Sequence, residues 1–394
     1  MSSHALAARG APRPSLAEVF RVALCSRTDA PRWPPHHWKV VRAIVACRTP
    51  ALGGHLYRCD GCGGGHFVPH SCRNRHCPAC QGGCGARWME KQSAMLLPAP
   101  YFHVVFTLPH SLNALVAQNQ AALYKLLFDA ASATLLEFAS NDLGGQPGIT
   151  AVLHTWSQTL LDHYHLHCIV TGGALAPDGR WKAKSAHWLF PVKALSKVFR
   201  AKYRDGLRAL FAAGSLGFHG QLATLARANI FHRMLNEVCR QPWVVFSKRP
   251  FAGPQTVLAY LARYTHRVGI HDSRILSIDE ATVAFRYKDY ADRSRSKRMT
   301  LALDEFTRRF RLHILPARFV KIRHYGLLST RNRRARIAQA RAALSKRPSK
   351  TILPPPQSAD PAPPICPHCQ QSKLVLIQIT RPPRTRTPTV CDSS

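Results

Sequence analysis

The spacing of hydrophobic residues changes several times along this chain. Between residues 15 and 50 apolar positions such as Leu16, Val19 and Val22 recur with the period of amphipathic helices. Residues 102–108 are instead typical of a buried strand. The Ala- and Leu-rich stretch over 111–140 predicts a long helix. The pattern therefore predicts a mixture of helices and strands.

The same periods predict further elements in the second half of the chain. Strands are expected at 149–155, 164–170, 243–246, 274–278, 282–288, 298–302 and 318–324. Helices are expected at 193–213, 219–239, 255–268, 304–313 and 331–350. Gly253-Pro254 marks the start of the helix at 255–268, because proline is favoured in a first helical turn.

Composition divides the chain into four predicted segments. Residues 1–14 are expected to be disordered, and residues 15–95 are expected to form a helical and Cys-rich domain. Residues 96–330 carry most of the predicted strands, and residues 331–394 form a basic, Pro-rich C-terminal tail.

The chain is strongly basic, with 55 Lys and Arg against 20 Asp and Glu, and a formal net charge of +35. Such a chain favours a polyanionic partner, and nucleic acid is the natural one, since each neutralised phosphate releases a counterion. A membrane surface is disfavoured because no long apolar run is present. The N-terminus lacks a signal-peptide pattern, so we expect a cytoplasmic protein.

Six of the 13 cysteines lie between Cys59 and Cys84, a clustering that in a cytosolic chain favours metal binding over disulfides. The two C-x-x-C knuckles predict one tetrahedral, structural zinc site, in which four thiolates leave no position open for substrate. The expected ligands are Cys59, Cys62, Cys77 and Cys80. The alternatives are Cys72, Cys84, His66, His70 and His76.

Other residues near the cysteines are candidates for related roles. Arg73 and Arg75 suit a DNA-facing surface, with an ordinary solvated face as the alternative. Cys366 and Cys369 form half a site, which His368 or Cys391 would complete, or they are unliganded thiols.

Residues 163–170 predict a strand with histidines on one face. Side chains alternate along a strand, so His163, His165 and His167 point one way and the residues between them point into the core. Imidazoles two residues apart on a strand form a chelate. The expected third ligand is Gln158, and the competitors are His154, Asp162 and His163. Two imidazoles and a carbonyl oxygen suit Mg²⁺ or Mn²⁺, which would polarise a phosphate.

The predicted helix at 255–268 places Tyr260 and Tyr264 on one face, four residues apart, at the border of an apolar stripe. Arg263 and Arg267 lie on the other flank. Nearby cations would favour the phenolate over a phenol with a pKa of about 10. Ordinary boundary tyrosines are the alternative interpretation of this segment alone.

Together these motifs resemble the HUH nucleases, named for His-hydrophobe-His, and more closely the two-tyrosine rolling-circle transposases of bacterial insertion sequences. The resemblance runs from about residue 15 to 330. Its motifs lie at 71–81, 100–109, 154–156, 260–267, 285–290 and 323–326.

The resemblance implies an α+β fold with a central antiparallel sheet and flanking helices, preceded by a helical, zinc-ribbon-like module. It implies a metal bound by His165 and His167, and attack of Tyr260 on a DNA phosphate to leave a 5′-phosphotyrosine and a free 3′-OH. Tyr264 would accept the next strand. The implied partner is single-stranded DNA with hairpin-bearing element ends, met at the bacterial nucleoid.

Two other functions compete with transposition. A plasmid replication initiator or relaxase would use the same chemistry, but the zinc module and the ordered motifs disfavour it. A catalytically inactive, zinc-dependent DNA-binding protein is disfavoured because both histidines and both tyrosines are present.

Overall fold

The structure is a mixed α and β fold in which every strand pairing is antiparallel. It is a computed structural model that describes residues 14–25, 31–81, 92–93, 95–184, 189–248, 256–257, 268–329, 332–345 and 365–382. The strands within these ranges form four sheets. The predicted α+β class with a central antiparallel sheet is therefore confirmed.

The helices and strands are numbered here in chain order. The helices are α1 (Leu16–Cys25), α2 (Pro35–Val45), α3 (Asn113–Gln118), α4 (Gln120–Leu143), α5 (Val192–Ala212), α6 (Ala228–Arg240), α7 (Leu303–Leu312) and α8 (Arg333–Ser345). The first strands are β1 (Gly54–Cys59), β2 (Gly65–Pro69), β3 (Tyr101–Thr107), β4 (Gly148–Trp156), β5 (Asp162–Thr171), β6 (Gly173–Leu175) and β7 (Trp181–Ala183). The remaining strands are β8 (Val245–Lys248), β9 (Ile275–Ile278), β10 (Thr282–Asp289), β11 (Arg295–Ala302), β12 (Ile322–Gly326) and β13 (Leu374–Thr380).

The central sheet has five strands in the order β12-β4-β5-β3-β8. Along its middle strand, β5, the side chains alternate between the two faces of the sheet as the sequence predicts. Tyr164, Leu166 and Cys168 are fully buried in the main hydrophobic core, which also contains residues of α4 and α5. Since neighbouring side chains on a strand point to opposite faces, the histidines of β5 lie on the face away from these two helices.

A second core joins the N-terminal helices to the sheet β11-β10-β9 and to α7. Phe20 of α1 packs edge-on against Phe310 of α7, with ring centroids 5.2 Å apart. Cys77 and Cys80 also belong to this core. The cysteine-rich segment is thus fixed against residues more than 200 positions away in the chain.

Several predicted elements differ from the observed ones in their bounds. The expected helix at 111–140 is divided at Asn119, whose side-chain amide donates to the carbonyls of Leu115 and Gly217. The expected helix at 219–239 begins as a 3-10 helix over Gly220–Ala226 before α6. The expected strand at 318–324 starts later, at Ile322. At Asn119, a side chain that satisfies nearby backbone groups overrides the hydrophobic period.

The edge strand β12 of the central sheet ends at Gly326, which has a φ of +63°. A Cβ on Gly326 would lie 1.9 Å from the carbonyl oxygen of Pro147, so the backbones meet here with no room for a side chain. None of the described helices has the length and apolarity needed to span a membrane.

We expect Gly326→Ala to destabilise the chain more than Gly214→Ala does. Gly214 has nearly the same φ, +62°, but open space around its Cβ position. The control should therefore lose about 1–2 kcal/mol for the left-handed backbone alone, whereas Gly326→Ala adds the clash with Pro147. Urea unfolding of both variants measures the difference, and equal losses would contradict the close backbone approach.

Candidate metal centre

Three imidazoles converge on the face of the central sheet opposite α4 and α5. His154 lies on β4 directly across from His165 on β5, and His167 follows two residues later on the same face. Their candidate ligand atoms all lie within 4.8 Å of one another. His154 is 3% exposed and His167 is 9% exposed. The strand register therefore builds a compact, partly buried cluster of nitrogen donors.

Hydrogen bonds orient two of these rings. The Nδ1 atom of His165 donates to the backbone oxygen of His163 at 2.7 Å, which makes Nε2 its candidate metal-binding atom. The Nδ1 atom of His167 lies 2.8 Å from Nε2 of His103 on β3. Burial lowers the pKa of His103 to about 4, so at neutral pH its ring is uncharged and its Nε2 can accept a hydrogen bond from the Nδ1–H of His167. His167 then also presents Nε2.

The predicted third ligand, Gln158, is not part of this cluster. It lies in the turn between β4 and β5, and its side-chain amide donates to the hydroxyl of Tyr290 at 3.3 Å. Among the alternatives, Asp162 accepts a hydrogen bond from Tyr164, and the ring of His163 stacks on His110. His154 is instead the third member of the observed cluster, because cross-strand register and not closeness along the chain decides which side chain faces His165.

The donor set bears on which cation fits the cluster. Mg²⁺ prefers oxygen ligands and near-ideal octahedral geometry, whereas imidazole nitrogen suits Mn²⁺, Zn²⁺ and other transition metals. Three imidazoles in place of two imidazoles and an amide oxygen therefore favour Mn²⁺ or a later transition metal over Mg²⁺.

The described residues on either side of the tyrosine segment contact the surroundings of this cluster. Val257 is buried against Ile169 of β5, two residues beyond His167 on the same face. Val268 lines a small cavity with Trp156, whose ring stacks on His154. The ten residues between them contain the predicted Tyr260, Arg263, Tyr264 and Arg267, all of which lie outside the described residues.

The four cysteines predicted to share one zinc ion lie in two separate clusters. Cys77 and Cys80 group with Cys47 and Cys72, whereas Cys59 and Cys62 group with Cys366 and Cys369. The hairpin formed by β1 and β2 is the physical reason. Cys59 and Cys62 lie at its tip, and the chain returns to its base before Cys72, a strand length of about 16 Å away.

The cluster at the base of the hairpin has the geometry of a structural zinc site. The sulfur of Cys80 lies 3.5 Å from those of Cys47 and Cys72. A tetrahedron with Zn–S bonds of about 2.3 Å places sulfurs about 3.8 Å apart. The backbone N–H of Cys72 donates to the sulfur of Cys47 at 3.5 Å. Cys47 follows α2 and belongs to no C-x-x-C pair, so the spacing of cysteines in the sequence does not indicate it as a ligand.

The remaining candidates near the cysteines have different positions. The predicted alternatives His66, His70 and His76 belong to neither cluster, and Cys84 lies outside the described residues. Arg73 is exposed. The guanidinium of Arg75 makes intramolecular hydrogen bonds, because it donates to the backbone oxygens of Pro316 and Phe319. It therefore links the cysteine-rich segment to the loop before β12, and it is a weaker candidate for DNA contact than predicted.

Comparison with known proteins assigns the family. Residues 19–108 match the model of a transposase zinc-binding domain, and residues 148–336 match the model of a putative transposase family. A putative transposase of Sinorhizobium fredii, y4qJ, is 44% identical over 384 residues, which cover 93% of this chain and 95% of that protein. This chain belongs to the IS91 family of transposases.

A second relative of this transposase is the transposase for insertion sequence element IS801 of Pseudomonas savastanoi pv. phaseolicola. It is 31% identical over 301 residues, which cover 74% of this chain and 70% of that protein. No solved structure matches the chain significantly. The transposase match includes His154, His165 and His167, and the zinc-binding match includes the cluster of Cys47, Cys72, Cys77 and Cys80. A structural zinc ion in this N-terminal domain is thereby supported.

We expect His154→Ala to weaken Mn²⁺ binding at least about tenfold, because it removes one of three nitrogen donors. Gln158→Ala is the matched control and should bind Mn²⁺ as the unmodified chain does. Isothermal titration of each full-length variant with Mn²⁺ measures both. A larger loss of Mn²⁺ affinity in Gln158→Ala than in His154→Ala would indicate that Gln158 is the third ligand.

We also expect His103→Ala to lower Mn²⁺ affinity about 10- to 100-fold, the usual effect of losing the partner that orients a metal-binding histidine. His163→Ala provides the control, since the group that orients His165 is the backbone oxygen of His163 and survives the substitution. If the two variants bind Mn²⁺ equally well, the contact between His103 and His167 does not orient a ligand.

Proposed function

We propose that this transposase nicks and rejoins single-stranded DNA through a covalent tyrosine–phosphate intermediate formed beside the cluster of His154, His165 and His167. The convergence of the three imidazoles on the face of the central sheet opposite α4 and α5 is the observation that carries this proposal. A divalent cation bound there would polarise the scissile phosphate and offset the charge that develops on its oxygens.

The position of the tyrosines in the sequence supports their role. Tyr260 follows Val257 by three residues, and Tyr264 precedes Val268 by four. Val257 packs against Ile169, and Val268 lines a cavity together with Trp156, so both valines lie near residues that flank the histidine cluster. The two described ends of the tyrosine segment therefore lie beside the histidine cluster, which supports the proposal that this segment supplies the nucleophile.

In the proposed reaction, the phenolate oxygen of Tyr260 attacks a DNA phosphorus atom. The bond to the 3′ oxygen breaks, that oxygen takes up a proton, and the 5′ phosphate remains on the tyrosine. A free 3′-OH can later attack the same phosphorus and release the tyrosine, so that the bond energy is conserved. Tyr264 would receive the second strand, and Arg263 and Arg267 would bind phosphate oxygens.

The choice of DNA as substrate rests on the family and on charge. Transposases act on DNA, and a net charge of +35 gives the chain a strong affinity for phosphate backbones that falls as salt rises. Membership of the transposase family favours transposition over initiation of plasmid replication. The hairpin-bearing ends of the element are the expected single-stranded substrates.

Covalent adduct formation is the direct test. Incubated with single-stranded oligonucleotides from the element ends and Mn²⁺, the unmodified chain should form a DNA adduct that survives denaturing electrophoresis. Tyr260→Phe should abolish the adduct, because phenylalanine has no oxygen nucleophile, and Tyr264→Phe should retain the first adduct.

Tyr290→Phe is the matched control for this experiment. Tyr290 is 67% exposed and lies after β10, where it contacts Gln158 instead of the histidine cluster. It should form the adduct at the unmodified yield. An unchanged yield with Tyr260→Phe would overturn the choice of nucleophile, and no adduct on any sequence would favour a protein that only binds DNA.

A further inference from the structure

The second cysteine cluster brings together two C-x-x-C motifs from opposite ends of the chain. The sulfurs of Cys59 and Cys369 are 3.6 Å apart, although 310 positions separate them, and those of Cys62 and Cys366 are 3.8 Å apart. These distances far exceed the S–S bond of a disulfide, about 2.0 Å. They match the spacing of about 3.8 Å between sulfurs around tetrahedral zinc.

The two motifs adopt the same turn. The N–H of Gly63 donates to the carbonyl of Cys59 at 3.0 Å, and the N–H of Gln370 donates to the carbonyl of Cys366 at 2.8 Å. Both donors follow the second cysteine of their motif and both have a left-handed backbone, with φ of +69° and +55°. Each turn directs two sulfurs to one side, as zinc knuckles do.

Strand pairing holds the two turns against each other. β13 pairs with β1 along its whole length, from Gly54 opposite Thr380 to Cys59 opposite Leu374. At the tip of the pair, a Cβ on Gly61 would lie 2.2 Å from the hydroxyl oxygen of Ser372, so one turn fits closely into the other. The cluster is therefore a product of the three-stranded sheet β13-β1-β2, which no single segment of the chain could form alone.

We propose that Cys59, Cys62, Cys366 and Cys369 bind a second structural zinc ion. This ion would join the β1–β2 hairpin to the segment over 365–382 in one zinc-ribbon-like unit. The zinc-binding match ends at residue 108 and the transposase match at residue 336, so neither reaches Cys366 and Cys369. The segment over 365–382 is then part of the N-terminal zinc domain.

Zinc content measured by mass spectrometry on the purified full-length chain tests the proposal. A His165→Ala/His167→Ala background removes the histidine site from the count. In that background the chain should hold two zinc ions. Cys59→Ser/Cys62→Ser, Cys366→Ser/Cys369→Ser and the variant with all four substitutions should each hold one, because both pairs serve the same ion.

Cys239→Ser is the control, since Cys239 lies on α6 outside both clusters, and it should keep two zinc ions. Two ions in Cys366→Ser/Cys369→Ser would overturn the proposal, as would a loss of both ions when all four cysteines are replaced. If the serine variants do not fold, the same chain reconstituted with Co²⁺ decides. Its thiolate-to-cobalt charge-transfer absorption should correspond to eight Co–S bonds, and the intensity of four would overturn the proposal.

Discussion

The alternation of side chains along β5 is the constraint on which the rest of the candidate site depends. Tyr164, Leu166 and Cys168 are fully buried beneath the helices, and this burial fixes the register of the strand. A slip by one residue would turn the histidines into the core and expose the apolar residues. The hydrophobic core thus holds His165 and His167 on the opposite face of the sheet. The neighbouring strands add His154 and His103 through their own register.

The sequence predicted those features of the fold and the site that depend on one continuous segment of the chain. The strand with its aligned histidines follows from the period of two, and most helices and strands follow from their hydrophobic spacing. The third imidazole could not be assigned in this way. Its position depends on the turn between β4 and β5 and on a shift in the β4–β5 register that falls between His154 and Trp156 of β4. Gln158 is closer to His165 along the chain, but the turn carries its side chain toward Tyr290.

The cysteines illustrate the same limit. Two C-x-x-C pairs close together in sequence suggested one site, and the length of the β1–β2 hairpin separates them. The partners they take instead are Cys47 and Cys72, which carry no pair motif, and Cys366 and Cys369, at the far end of the chain. Eight cysteines in two groups of four are a more informative signal than the spacing of any one pair.

The N-terminal zinc domain and the histidine face belong to one connected structure. The cores of α1 and α2 are shared with α7 and the β9–β11 sheet, and Arg75 binds the carbonyls of the loop that leads into β12. The zinc-binding segment is therefore held in a fixed position relative to the rest of the fold, including the strands that carry the histidines.

Pulsed electron paramagnetic resonance of Mn²⁺ bound to the full-length chain is the most direct test of the three-histidine centre. The account predicts nuclear modulation from imidazole nitrogens, which His154→Ala, His165→Ala and His167→Ala each reduce. A bound Mn²⁺ ion that shows only water and carboxylate or amide oxygen ligands would contradict it.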